Sequence, residues 1–154
     1  MKYEITAETT YHGPVTLHRI KALEDSDNVK KGDLGGYIEK ESNLDQAGRA
    51  WVSDDAKVYG NAWVSGNARI SDMAEVYGNA QLSGQSRVSD DAKVFGDAEI
   101  GDGGIVKEKA KISGKVLVGR AIVGGEMEAW GEQTISRGRH DDKTSPYWGD
   151  GDGK

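Results

Sequence analysis

From Val52 to Val118 an aliphatic residue returns at every sixth position: Val52, Val58, Val64, Ile70, Val76, Leu82, Val88, Val94, Ile100, Val106, Ile112 and Val118. Two residues before most of these stands a small one, such as Ala50, Ala56, Ala62, Ala74 or Ser86. Residues two apart share one face of a short strand. The Gly-Asn, Gly-Asp and Asp-Asp pairs between them have the chemistry of corners. A helix cannot use this pattern, because a period of six drifts around a turn of about 3.6 residues and the glycines interrupt it.

A second period of eighteen lies over the first. Tyr59, Tyr77 and Phe95 follow it, as do Gly60, Gly78, Gly96 and Gly114, and the segments "VSDDA", "ISDMA" and "VSDDA" that begin at Val52, Ile70 and Val88. Three hexads therefore make one coil, and residues eighteen apart stack in columns. The spacing predicts an all-β fold, a triangular parallel β-helix of about four 18-residue coils over residues 50–123. Only 36% of the chain is hydrophobic. That suffices if each coil is bonded to its neighbours and none needs a core of its own.

The hexads of residues 50–119 resemble the hexapeptide-repeat, left-handed β-helix family. The preceding "LHRIKALEDSDNVKKGDLGGYIEKESNL" (Leu17–Leu44) is similar to a stretch in small bacteriophage and prophage proteins, some labelled as acyltransferases or polymer-forming proteins. The resemblance implies left-handed winding and side-by-side packing of subunits as a homotrimer.

The ends depart from the repeat. Residues 2–22 read as a β-hairpin, with "YHGP" as its turn. Residues 1–49 are expected to form this hairpin and a capping segment, because an open solenoid end exposes unpaired strands. After Val118 the register slips, since Val123 is only five residues on. Residues 124–154 are expected to form an irregular tail, whose Tyr147 and Trp148 dock on this chain or a neighbour.

Composition narrows the function. The absence of cysteine removes disulfides and thiolate metal sites. No apolar run is long enough to span a membrane, and "MKYEITAETTYHG" lacks the apolar core of a secretory signal. The expected location is the cytoplasm, that of the host cell if a phage encodes the chain. A net charge of −6 argues against direct binding to nucleic acid, though not against mimicry of it. Asp54, Asp72 and Asp90 form an acidic corner column, which most simply bonds local backbone. The terminal "GDGDGK" starts like a calcium loop but lacks the later ligands. No metal or cofactor is expected.

Catalysis has little to work with. Acyltransferases of the resembled family place a general-base histidine in or beside the coils, whereas His12, His18 and His140 all lie outside residues 50–119. An acyltransferase using a non-standard base such as His18 is the alternative. The favoured reading is a non-catalytic oligomeric scaffold, phage-encoded and serving counter-defence by binding a host protein or a nucleotide signal. Its subunit interface is expected on the aromatic column Tyr59, Tyr77 and Phe95, since aromatic stripes on polar surfaces mark interfaces. A small anionic or nucleotide ligand is expected at Arg69 and Arg87, with Trp51 and Trp63 as stacking surfaces.

Overall fold

The hexads close into a stack of short parallel strands in the computed structural model of the chain, which describes residues 1–27 and 29–141 and the backbone of 144–145. The described residues contain strands and one 3-10 turn, Glu41–Asn43, and no α-helix. Each turn contributes one strand to each of three sheets, of nine, six and five strands. The aliphatic residue of each hexad and the small residue before it point inward. Val58, Val64, Ile70, Val76 and Leu82 are fully buried, as are Ala56, Ala68, Ala74 and Ala80. Each such aliphatic contributes about 1.5–3 kcal/mol by leaving water. Backbone groups are satisfied by the next turn: Lys57 N–H donates to Ala74 O, and Trp63 N–H to Ala80 O, each at 3.0 Å.

The solenoid is longer than the period indicates, with about six turns in place of the expected four. It begins before residue 50. The hairpin strands β1 (Tyr3–His12) and β2 (Val15–Ala22) pair antiparallel, and β3 (Leu34–Ile38) pairs antiparallel with β2 on one side. On its other side β3 pairs parallel with Lys57–Val58, matching Ile38 to Val58. Leu44 bridges Val64. This first turn is offset by twenty residues, so it escapes a period of eighteen. The two glycines of β3 permit its close approach: a Cβ on Gly36 would stand 2.6 Å from Ala56 O, and one on Gly35 2.6 Å from Val52 O.

The stack also continues past Val123, contrary to the expected irregular tail from 124. Val106 pairs with Val123, Ile112 with Ala129, Val118 with Ile135 and Val123 with His140. Each match is seventeen residues apart. One residue is lost at the corner before Ala121 and another between Ile135 and His140, so the columns shift while the strands stay in register. Parallel pairing reaches Thr144–Ser145. The expected docking of Tyr147 and Trp148, and the "GDGDGK" segment, lie outside the described residues.

The hairpin closes the first turn. Tyr3 is buried, and its hydroxyl donates to Leu44 O at 2.6 Å and Glu41 O at 3.0 Å. Lys2 Nζ donates to the carbonyls of Ala50 (2.8 Å), Ala47 (3.2 Å) and Gly48 (3.3 Å). Burial pushes the Lys2 amine down, partly offset by the Asp45 and Glu24 carboxylates. Arg19 ties the hairpin to the coils. It bonds Glu8 at 2.9 Å, Gly35 O at 2.7 Å and the Tyr37 hydroxyl at 2.6 Å, and lies 4.3 Å from the Tyr37 ring centroid.

Candidate functional site

The aromatic column lies on the nine-stranded sheet, just past the strands Lys57–Val58, Glu75–Val76 and Lys93–Val94. Register brings the rings face to face. Tyr59 and Tyr77 stack at 5.0 Å with parallel planes, and Tyr77 and Phe95 at 4.9 Å and 3°. The ladder is half-buried and not fully exposed as its sequence position suggests. Part of its cover is the hairpin tip. The His12 ring sits 5.2 Å from that of Tyr59, and His12 Nε2 lies 3.3 Å from Glu75 Oε1. The same carboxylate oxygen accepts from the Tyr59 hydroxyl at 3.1 Å. Burial, then the Glu75 charge, pushes the Tyr59 phenol well above its usual range, and Tyr77 shifts the same way for the same causes.

The column extends further than the sequence reading takes it. Ser113 follows Phe95, and Trp130 follows Ser113, because Lys111 pairs with Glu128 and Ile112 with Ala129. Trp130 is 40% exposed. The seventeen-residue offset hides it from an eighteen-residue search. Arg19 and Glu75 are likewise missed: their roles depend on the hairpin folding back over the sheet, and no local motif announces that.

The expected anion site is only partly assembled. Arg69 and Arg87 are direct neighbours in the six-stranded sheet. Arg69 is held by Asp27, at 2.9 Å, and the same carboxylate grips Arg49 at 3.1 Å. Arg87 is exposed and has no ion pair among the described residues. Trp51 pairs with Arg69 in register, but it is only 7% exposed and packs edge-on against Tyr3 at 6.5 Å. It is a core residue beneath the cap and offers no stacking surface, a correction to its expected role. Trp63 is 45% exposed but belongs to the five-stranded sheet, away from the arginine pair.

That five-stranded sheet carries two shallow grooves. One of about 370 Å³ follows the small residues Ser83, Gly101 and Gly119 between Glu99 and Arg120. The other, of about 430 Å³, lies between Lys115, Glu132 and Leu117. Leu117 borders both and is 43% exposed.

The acidic corner column bonds backbone, but that of the next turn and not its own. Asp72 N–H donates to Asp54 Oδ2 at 3.1 Å, Asp90 N–H to Asp72 Oδ2 at 3.1 Å, and Glu108 N–H to Asp90 Oδ2 at 2.9 Å. The histidines are dispersed. His12 is at the hairpin tip, and His18 is half-buried in β2. His140 is buried at the inward position of the sixth turn, where its Nε2 lies 2.8 Å from Arg137 O.

No helix among the described residues is long and apolar enough to cross a membrane. No protein-family model matches the chain, and no curated protein matches it either.

Proposed function

We propose that the protein is a non-catalytic binding scaffold that acts as an oligomer. One observation carries this reading: three aromatic rings held in register on one sheet remain half-exposed after the chain has folded. A regular sheet with an aromatic stripe presents a flat, preorganised surface, and aromatic side chains are enriched where protein surfaces meet. The finer description follows the resemblance of the hexads: left-handed winding, a triangular section and three subunits packed side by side. The likeness of Leu17–Leu44 to phage proteins supports a phage-encoded chain acting in the host cytoplasm. Its task there is counter-defence, by holding a host protein or a nucleotide signal.

Light scattering on the purified protein tests the scaffold. The expected mass is that of three chains. Tyr77→Lys with Phe95→Lys is expected to give one-chain particles with an unchanged β circular dichroism spectrum. A one-chain wild type, or an unaltered mass in the double variant, removes the interface. A rise in melting temperature with acetyl-CoA, together with acetyl transfer to an amine acceptor, overturns the non-catalytic part.

A further inference from the structure

The aromatic ladder lacks one ring, and the column resumes beyond the gap. Tyr59, Tyr77 and Phe95 occupy successive rungs at 5.0 and 4.9 Å. The next rung holds Ser113, because Lys93 pairs with Lys111 and Val94 with Ile112. The rung after that holds Trp130. Its place is fixed by the pairing of Ile112 with Ala129 and by the stacking of Gly114 on Gly131, whose nitrogen lies 2.7 Å from where a Gly114 Cβ would be. A hydroxymethyl group thus stands where a ring would continue the stack.

The gap has the dimensions of a ring. Successive rungs are about 4.8 Å apart, so the backbones of Phe95 and Trp130 are separated by about 10 Å. One planar guest at the empty rung would repeat the ladder's own spacing on both sides, within the range of about 4.5–7 Å for offset aromatic pairs. Ser113 is half-buried, and its hydroxyl can donate and accept at the edge of such a guest. Trp130, 40% exposed, has ring surface to offer.

The same rung is cationic on both sides of the gap. Lys111 precedes Ser113 and Lys115 follows it, and both are exposed. Neither is ion-paired among the described residues. Three nearby carboxylates lie one rung away: Glu128 opposite Lys111, Asp97, which accepts from the Asn79 side-chain amide at 3.0 Å, and Glu132, which borders a groove together with Lys115. Two ammonium groups beside a ring-sized slot suit a planar aromatic ring that carries a negative charge.

We propose that this vacant rung is a binding site for a purine nucleotide. The base takes the place of the missing ring between Phe95 and Trp130, and the phosphate lies against Lys111 and Lys115. All of these groups come from one chain, and Phe95 also borders the aromatic face proposed as the subunit interface. The site is separate from the Arg69 and Arg87 pair, which lies on another sheet.

Calorimetric titration with AMP and with adenosine tests the site. Wild type is expected to bind AMP saturably, with a Kd of about a millimolar or tighter. Ser113→Tyr supplies the missing ring, so it is expected to raise Tm and abolish AMP binding. Lys111→Gln with Lys115→Gln is expected to weaken AMP about tenfold or more while leaving adenosine unchanged. Trp130→Ala, which does not add bulk to the sheet, is expected to weaken both ligands. Absence of AMP binding to wild type at concentrations of about 10 mM overturns the proposal. So does unchanged affinity in either Ser113→Tyr or Trp130→Ala that retains its circular dichroism, or equal AMP affinity in the lysine variant. Loss of this site with a three-chain wild-type mass would leave the scaffold reading intact.

Discussion

At the residue scale, the corner aspartates do two things at once. Asp54, Asp72 and Asp90 have φ of 57°, 61° and 59°, a left-handed backbone that aspartate tolerates better than most residues. Asp72 and Asp90 each also donate their N–H to the carboxylate one turn earlier. Asp72→Ala removes an acceptor from Asp90 N–H and places an ordinary Cβ in the left-handed region. Asp72→Gly removes the acceptor but relieves the backbone. Chemical denaturation is expected to show the alanine variant losing about 1–2 kcal/mol and the glycine variant less. Equal losses would mean that the hydrogen bond alone matters there.

The tyrosines set a limit at high pH. Burial, followed by nearby carboxylates, raises the phenols of Tyr3, Tyr59 and Tyr77. Above the unfolded tyrosine value of about 10, the unfolded chain has released protons that the native state still holds. Raising the pH therefore favours unfolding. The stability these groups contribute is complete below pH of about 10 and is lost as the pH climbs toward their raised native values. Urea midpoints are expected to fall steeply above that pH, and less steeply in Tyr3→Phe. A midpoint that stays level to pH of about 11 would contradict the assignment.

At the scale of the element, the corner between the nine-stranded and five-stranded sheets is built from glycine for two reasons. Gly60, Gly78, Gly96 and Gly114 have φ of 66–67°. They also stack so closely that a Cβ on Gly78 would lie 2.8 Å from the nitrogen of Gly96. Gly13, at the hairpin turn, has a similar φ of 61° but open space around it. Gly13→Ala meets only the backbone cost, about 1 kcal/mol. Gly78→Ala meets the same cost and a backbone collision, so it is expected to destabilise by clearly more, about 3 kcal/mol or above. Similar losses in a thermal or urea comparison would show that the turns can separate to admit a methyl group.

For the whole molecule, stability is close to a sum of turns and the interfaces between them, so the ends decide where unfolding begins. The first turn is closed by the hairpin and by Lys2 on three carbonyls. At the other end, Thr134–Ile135 and Gly138–His140 are each paired on one side only among the described residues. Hydrogen exchange is expected to be slowest in the middle turns, around Val76 and Val94, and to quicken toward Ile135. Lys2→Met leaves the carbonyls of Ala47, Gly48 and Ala50 without their donor, a cost of about 1–3 kcal/mol. It is expected to speed exchange at Trp51 and Val52 while leaving the amides of Val94 unchanged. A uniform increase along the chain would instead mean that the solenoid unfolds as one cooperative unit.

The six-residue period by itself determined the strands, the inward columns and the stacking of Tyr59 on Tyr77, because in a coil register follows directly from spacing. It failed wherever a turn contained more or fewer residues than eighteen. β3 and Leu44 belong to the stack at an offset of twenty, and Trp130, Ile135 and His140 at seventeen. Strand pairing tolerates such changes because a corner can take up or lose a residue while the inward side chain keeps its place. Only the tertiary structure decided the fates of Trp51 and Arg69, one covered by Tyr3 and the other taken by Asp27. Both partners come from the N-terminal segment, whose docking depends on contacts between residues some forty or more positions apart. The spacing of a repeat contains no trace of such contacts.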